Sequence, residues 1–397
     1  MRLLFISNLF PDTTQPWRGL DNVTLLHAMC AERRDVDVRV LCLRPGHGFW
    51  IGAGCPLKPR DEDKILNPHF AWAPYLPKFG GLNDQLFALA VRRALKALPQ
   101  GWKPDALLVP WLFPDACGVY LVDEFCDVPM LSVAQGSDVH QYLDMPMRRR
   151  AILTLAQRSK IVTRSEDLRQ RLLGAGAAAD RVHTVYNGVD TATFYPGDSK
   201  AARAALGLPE DGKLLLFVGN FLEVKGLELL IQATARAARE WNEPLRLVMI
   251  GSGPLQQPLA ALAKSEDLPS SSLIWAGRKS PEEVAQYMRA ADAVCLSSHN
   301  EGVPNVLLES LASGRPFVTT DVGGISEILG PSPRGGKLVP GRGVQDYASA
   351  LHSALSDPPD PAALSAYAST MAWPRCAADY WDLMLSGRGL TPNSGQI

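Results

Sequence analysis

The run Ala293-Val294-Cys295-Leu296-Ser297-Ser298-His299-Asn300-Glu301-Gly302-Val303-Pro304-Asn305-Val306-Leu307-Leu308-Glu309 passes from a short apolar segment through a polar turn into an amphipathic one. An apolar segment of this length, bounded by turn formers, is a buried strand. Pro304 suits the first helical position, where a missing N–H costs nothing, and Val306, Leu307 and Leu311 supply the apolar face of a helix. This order places the N–H groups of residues 305 to 307 at the positive end of a helix dipole, which attracts phosphate. Glu301 stands on the loop before that end and Glu309 about one turn inside, so a bound anion would have a carboxylate on either side. Carboxylates beside a phosphate accept hydrogen bonds from hydroxyls. Two glutamates alone would ordinarily be a loop carboxylate and a solvated helix face; the neighbouring segments change that weighting.

Upstream the pattern recurs. Leu214-Leu215-Leu216-Phe217-Val218 is an apolar strand, followed by Gly219-Asn220 and a helix start at Lys225-Gly226, where a lysine reaches a pyrophosphate as a point charge. Leu245 to Ile250 ends in Gly251-Ser252-Gly253, weak by itself as a nucleotide signal, and Leu273 to Gly277 ends in Arg278. The first half opens with the strand Arg2 to Ser7, a loop holding Pro16, Arg18 and Gly19, a helical pattern through Val23 to Met29 and a strand over Val36 to Leu43. Further strands lie near Pro104 to Trp111, Pro129 to Ala134 and Ile161 to Thr163. Strand, loop and helix recurring about every 25 to 30 residues predict doubly wound parallel α/β sheets whose ligands collect at the carboxyl ends of the strands. The length, 397 residues, suits two domains of about 190 residues.

The sequence E-G-x-P-N-x-x-x-E at 301–309, followed by Ala312-Ser313-Gly314-Arg315-Pro316 and Gly323-Gly324-Ile325-Ser326-Glu327, resembles the family 4 (group 1) retaining glycosyltransferases. The resemblance implies a GT-B fold: two Rossmann-like domains facing a central cleft. It places an acceptor-binding domain at 1–187, a linker like the family's Asn-Gly-Val-Asp…Phe-x-Pro at about 187–200, and a donor-binding domain at 200–370. It also implies a terminal helix, about 373–390, returning to the first domain. Carried over residue by residue, it assigns Glu301 to the donor sugar, Glu309 to the nucleotide ribose, and Val303, Pro304, Asn305 and Val306 to sugar and phosphate. Lys225 and Asn220 fall at the diphosphate, and Gly251, Gly253 and Arg278 near the nucleotide. Gly19 lies where the first domain approaches the donor phosphate, and Asp138 would orient an acceptor hydroxyl; Glu301, Lys225 and Asp138 are the catalytic candidates. Three positions depart from the family pattern: Asn220 stands for an arginine, Leu20 for a second glycine and Gln135 for a histidine. A general base at 135 is therefore not carried over, and His140 is read as structural.

The implied partners are a nucleoside diphosphate sugar as co-substrate and a glycan or lipid-linked acceptor, with no cofactor, no metal and no nucleic acid. Seven scattered cysteines without a C-x-x-C suit a reducing cytosol. No secretory signal fits the N-terminus, and no apolar stretch of about 18 residues appears. These features predict a cytoplasmic protein, with the inner face of the membrane as a site of peripheral contact. Residues 1 to 187 hold 23 Lys+Arg against 19 Asp+Glu, a difference of +4, while the rest hold 17 against 22, a difference of −5. Within the basic half, residues 82–98 join Leu86, Leu89 and Ala90 to Arg92, Arg93 and Lys96, a combination that can lie on an anionic bilayer. Surface composition alone gives an asymmetry of this size as well. Three rival readings stay open: a GT-B-fold sugar-nucleotide epimerase or hydrolase, a nicotinamide enzyme, and a non-catalytic glycan or nucleotide-sugar binding partner. The nicotinamide reading is disfavoured because Asn8-Leu9-Phe10-Pro11 is not G-x-G-x-x-G.

Overall fold

A computed structural model describes residues 1–46, 55–77, 80–329 and 335–386. The chain divides into two compact units, Met1–Asn187 with Trp373–Ile397, and Gly188–Ala372.

The first unit carries seven strands: β1 (Arg2–Ser7), β2 (Asp37–Gly46), β3 (Pro68–Pro74), β4 (Ala106–Pro110), β5 (Met130–Ala134), β6 (Lys160–Thr163) and β7 (Val182–Thr184). They form one parallel sheet in the order β3-β2-β1-β4-β5-β6-β7. The second unit carries β8 (Lys213–Val218), β9 (Leu245–Ile250), β10 (Leu273–Gly277), β11 (Ala293–Leu296), β12 (Phe317–Thr320) and β13 (Gly336–Val339), ordered β10-β9-β8-β11-β12-β13 and again parallel. In both sheets the winding direction reverses once, between β1 and β4 and between β8 and β11. Those are the switch points at which such sheets open a crevice at their carboxyl ends.

The central strands β1, β4, β8 and β11 are largely apolar because both faces are covered. Along β1, successive side chains enter opposite cores. Leu4 and Ile6 pack with Phe87 and Val91 of the helix Asn83–Ala94. Leu3 and Phe5 pack with Tyr380 and Trp381 of the terminal helix Trp373–Leu385. That helix is tied to the first unit by Trp381 Nε1 donating to Met29 O (3.0 Å) and Lys160 Nζ donating to Leu383 O (2.9 Å). The expected extension to 390 lies outside the described residues, as does the terminal tail.

Several local expectations are corrected. β3, between the sequence-predicted elements, was not foreseen; it begins at a proline and sits at the sheet edge, where a missing ladder donor is tolerated. Pro304 is the N-cap, with extended ψ of 125°, and the helix begins at Asn305. The apolar residues Phe87, Ala88, Ala90, Val91 and Ala94 of the basic helix are spent on the core. Its solvent face carries Arg92, Arg93 and a single apolar residue, Leu89.

Candidate functional site in the second unit

The loops after β8 and β11 meet at the switch point. Val218 leads through Gly219 and Asn220 to a single 3-10 turn, Glu223–Lys225, and Gly226 then caps the helix Leu227–Glu240 in the left-handed region, φ 54°. A Cβ at Gly226 would stand 2.4 Å from Ser297 O, so glycine lets the two loops touch. Three bonds hold the contact: His299 N to Val224 O (2.8 Å), Ser297 Oγ to Lys225 O (3.1 Å) and Arg342 Nη1 to Ser297 O (2.8 Å). The result is that Lys225 Nζ donates to Glu301 Oε1 at 2.5 Å, while Ser298 Oγ donates to the same oxygen at 2.6 Å. Two residues 76 positions apart in the chain are thus brought into contact.

The Gly323-Gly324 segment has a mechanical role in this arrangement. Gly323, φ 58°, lies against the Glu301 carbonyl, which a Cβ would approach to 1.8 Å, and Gly324 N donates to Gly302 O (3.1 Å). It braces the acidic loop from behind. Thr320 Oγ1 adds a bond to Ser298 O (2.7 Å), and the buried Tyr347 hydroxyl bonds Leu296 O (2.9 Å) and Val318 O (2.8 Å).

Glu309 differs from Glu301. Its carboxyl has no hydrogen bond or ion pair among the described residues, and burial pushes it up to about 7 although it keeps some solvent contact. Val303 is buried; Pro304, Asn305 and Val306 are half-buried. Leu307 N turns back onto Pro304 O (3.0 Å), so of the helix-end donors expected at 305 to 307 that one is taken.

Gly251 and Gly253 are placed by neighbouring backbone. Cβ atoms there would stand 1.9 Å from Gly219 O and 2.4 Å from Phe221 O. Gly219 N donates to Ile250 O and Phe221 N to Ser252 O, both at 3.0 Å, so these glycines let the β8 and β9 loops lie side by side. Arg278 is exposed and donates through Nε to Ser252 Oγ (2.7 Å); Asn220 is exposed on the β8 loop. Arg342 was missed by the sequence reading. It sits after β13, yet its guanidinium bonds Ser297 O, Ser298 O (3.2 Å) and Gly226 O (3.5 Å). The only cue was a Gly-Arg-Gly loop, which carries no chemical signature.

Candidate functional site in the first unit

Gly19, φ 67°, caps the helix Leu20–Glu32 and lies against Leu9 O, which a Cβ would approach to 2.4 Å. Its special backbone thus serves the folding of the β1 loop. Asp138, read from the sequence as orienting an acceptor hydroxyl, is fully buried. Its carboxylate accepts from Leu112 N (3.0 Å), Gln135 N (2.9 Å) and Gly136 N (2.9 Å). It joins the β4 and β5 loops and presents no atom to a ligand, because satisfying those N–H groups uses the carboxylate. Gln135 Nε2 donates to Asn22 Oδ1 (2.8 Å). His140 is largely buried, 3.7 Å from Asp167, and burial lowers its pKa.

At the switch point of this sheet is a cavity of about 270 Å³. Asn8 and Arg18 line it from the β1 side, and Trp111, Phe113 and Asp115 from the β4 side. Asp115 accepts from Asn8 N (2.7 Å), Asn8 Nδ2 (2.9 Å) and Ser7 Oγ (3.0 Å), and burial pushes it up to about 7. Neither Asp115 nor Asn8 was singled out in the sequence.

Comparison with known proteins agrees with this architecture. The family described as Glycosyltransferase Family 4 matches residues 17–193, and that described as Glycosyl transferases group 1 matches residues 198–371. Among curated relatives, the D-inositol 3-phosphate glycosyltransferase of Frankia alni is 37% identical over 51% of this chain and 52% of the relative. That of Kineococcus radiotolerans is 34% identical over 66% of this chain and 64% of the relative. The putative teichuronic acid biosynthesis glycosyltransferase TuaC of Bacillus subtilis is 25% identical over 83% of each chain. The chain spans between half and two thirds of the length of these two inositol-phosphate relatives. Among solved structures, Anabaena HepE in complex with UDP aligns over 97% of this chain and 100% of its own, with a TM-score of 0.73 and 17% identity. Sucrose-phosphate synthase of Thermosynechococcus elongatus aligns over 96% of this chain and 98% of its own, with a TM-score of 0.76 and 19% identity. The fold is GT-B, and the chain belongs to the family 4, group 1 glycosyltransferases.

Proposed function

We propose that this chain is a retaining glycosyltransferase that moves a sugar from a UDP- or GDP-sugar to a hydroxyl of a glycan or lipid-linked acceptor, in cell-surface polysaccharide or glycolipid biosynthesis. The observation that carries the reading is the Lys225–Glu301 contact at the β8/β11 switch point, with an unpartnered Glu309 eight residues on. An incoming diphosphate takes Lys225 as counter-ion and the helix end before Val306 as a dipole. Glu301, released from the lysine but still held by Ser298, turns to the sugar. Glu309 accepts the ribose hydroxyls. The named activities of the inositol-phosphate and teichuronic acid relatives, and the UDP bound by HepE, support a nucleotide-sugar donor and a hydroxylic acceptor.

In the reaction, the bond between the anomeric carbon and the diphosphate oxygen breaks, and the charge that develops on the leaving group is met by Lys225. The acceptor oxygen bonds the same carbon on the face the diphosphate leaves, and its proton passes to a leaving-group oxygen. No cofactor or metal enters this reading. Asp138 is kept as a positioning residue for the loops of the first unit. No helix among the described residues is long and apolar enough to cross a membrane. Peripheral contact would rest on the exposed Met145, Met147, Leu82 and Leu89 among Arg92, Arg93, Arg149 and Arg150, cations that favour an anionic cytoplasmic leaflet.

The test is calorimetric titration with UDP, GDP, ADP and NAD, repeated on Glu309→Ala, followed by product analysis with the matching nucleotide sugar. Binding of one nucleoside diphosphate, weakened in the variant, with net retention in the product, supports the reading. A free sugar formed at the same rate with and without acceptor makes the protein a hydrolase, and no nucleotide binding at all makes it a non-catalytic partner.

A further inference from the structure

Arg342 belongs to the edge of the second sheet, yet it holds the crevice at the sheet's centre. The order β8-β11-β12-β13 puts β13 at the edge, two places from β11 and three from β8. Arg342 follows the end of β13, Val339, by three residues, and its side chain reaches back to the loops after β11 and β8. Nη1 donates to Ser297 O (2.8 Å) and Ser298 O (3.2 Å), and Nη2 to Gly226 O (3.5 Å). The guanidinium lies flat enough on Gly226 that a Cβ there would stand 3.1 Å from Cζ, so only glycine leaves room for it.

Those three acceptors belong to the residues that fix Lys225 and Glu301. Ser297 Oγ donates to Lys225 O (3.1 Å), Ser298 Oγ donates to Glu301 Oε1 (2.6 Å), and Gly226 directly follows Lys225. Ser297 and Ser298 are fully buried, and Ser298 O accepts from Thr320 Oγ1 (2.7 Å) as well as from Arg342. A carbonyl oxygen has two lone pairs, so this one is fully occupied. A planar guanidinium serves carbonyls of two loops at once, with a spacing set by its own bonds, which the compact ammonium of a lysine does not reproduce.

The position is also one where holding is separable from folding. Arg342 is exposed, and all its hydrogen bonds among the described residues go to backbone carbonyls. Truncating it opens no apolar cavity, and water from the surface can take over the carbonyls it leaves. What is lost is the fixed distance between the loops.

We propose that Arg342 is a positioning residue for the transfer: it sets the separation of the loops after β8 and β11, and so holds Lys225 and Glu301 where the donor's diphosphate and sugar meet them. This deepens the proposed function and rests on it for the reaction; the holding of Lys225 against Glu301 is readable without it. A loosened lysine still finds a bound diphosphate, whereas the charge developing on the leaving group needs the ammonium already in place. Turnover is therefore more sensitive to Arg342 than donor affinity is.

The experiment compares the full unaltered chain with Arg342→Gln and Arg342→Lys. Arg236→Gln, on the exposed face of the helix Leu227–Glu240, is the control, and a melting curve for each variant monitors the fold. The first readout needs no turnover: a brief pulse of acetic anhydride, with acylation of Lys225 measured by mass spectrometry against the exposed Lys264. Calorimetry with UDP and GDP, and release of nucleoside diphosphate from UDP-glucose and GDP-glucose, give affinity, kcat and KM. In Arg342→Gln, Lys225 should acylate several-fold faster while Lys264 and the melting curve stay as in the parent. Its kcat should fall on the order of 10- to 100-fold, the effect of misplacing a catalytic group by about 1 Å, with a smaller change in KM and in nucleotide affinity. Arg342→Lys should recover little of this, and Arg236→Gln should match the parent throughout.

Parental acylation of Lys225 in Arg342→Gln overturns the proposal, as does a rise shared by Lys264 with an earlier melting transition, which marks general loosening. Parental turnover in Arg342→Lys assigns the effect to charge and overturns the role of the fork. A raised KM with unchanged kcat makes Arg342 a binding contact and likewise overturns positioning. Absence of nucleotide binding and of turnover in the unaltered chain sinks the donor reading, and the acylation of Lys225 then decides by itself whether Arg342 holds the pair.

Discussion

The two units place different chemistry at the same topological point. Between β8 and β11 the crevice holds a cation and a carboxylate in contact, Lys225 with Glu301 at 2.5 Å. Between β1 and β4 it holds a carboxyl group bonded to backbone and amide, Asp115, and two arginines, Arg18 and Arg148, that form no ion pair among the described residues. Each site also has a carboxyl pushed up to about 7, Glu309 and Asp115. Their situations are opposite: Glu309 has no partner among the described residues, whereas Asp115 already accepts from three donors. A parallel sheet that reverses its winding opens a crevice in either case, and the loops that line it decide whether the crevice does chemistry or holding.

The sharpest separation comes from Lys225→Ala. It removes the charge that meets the leaving diphosphate, so turnover should fall ~100- to 1,000-fold, with the melting temperature unchanged. Intact turnover would remove the second unit's claim to the chemistry. Next in size is Asp138→Ala, which strands buried N–H groups of Leu112, Gln135 and Gly136. It should cost ~2–4 kcal/mol of stability, seen as an earlier melting transition, with UDP affinity unaltered. A loss of acceptor turnover without loss of stability would instead return Asp138 to the reacting groups.

Glu309→Gln gives a smaller, pH-dependent effect. The unfolded carboxyl ionises near its ordinary value of 4.5 and the folded one at about 7. The folded state therefore holds the extra proton between those values, and the group costs stability as pH rises through that window. The substitution should be neutral at pH 4 and stabilising by ~1–2 kcal/mol at pH 8, below the full linkage value because the carboxyl keeps some solvent contact. Ribose hydroxyls bonded to the ionised form pull the pKa back down. UDP binding near pH 6 should then release protons, measurable as a buffer-dependent binding enthalpy that disappears in Glu309→Gln; an enthalpy independent of buffer in the unaltered protein would contradict that role. The smallest effect is that of Arg92→Gln, within ~0.5 kcal/mol of the parent, since its ion pairs to Asp123 and Glu124 are solvent-exposed. It should nonetheless weaken co-sedimentation with anionic lipid vesicles if the basic face meets a membrane.

Much of the second unit was legible because its chemistry is local in the chain. The strand at Ala293, the loop at Glu301 and the helix after Pro304 follow one another within twenty residues, and propensity and capping read such spans directly. The first unit was less legible. Its cavity is assembled from residues near 8, 18, 75, 111, 115, 142 and 148, none of which forms a motif with its neighbours. Asp138 looked like a ligand-facing residue but is spent on backbone N–H groups, and Gly19, Gly251 and Gly253 also let neighbouring loops pack closely, because special backbone and buried carboxylates serve tight loops as readily as they serve substrates.

From the sequence alone follow the two parallel α/β halves, the placing of the glutamates at a helix entrance, and the lysine at the foot of another. Periodicity and turn chemistry act over a few residues, and they suffice for that. Only the tertiary structure decided that Lys225 touches Glu301, that Arg342 clamps their loops, that Asp138 is spent on backbone and that Arg18 and Arg148 share one cavity. Those outcomes depend on which strand ends the sheet order brings together, and no local pattern encodes a contact made across a winding reversal.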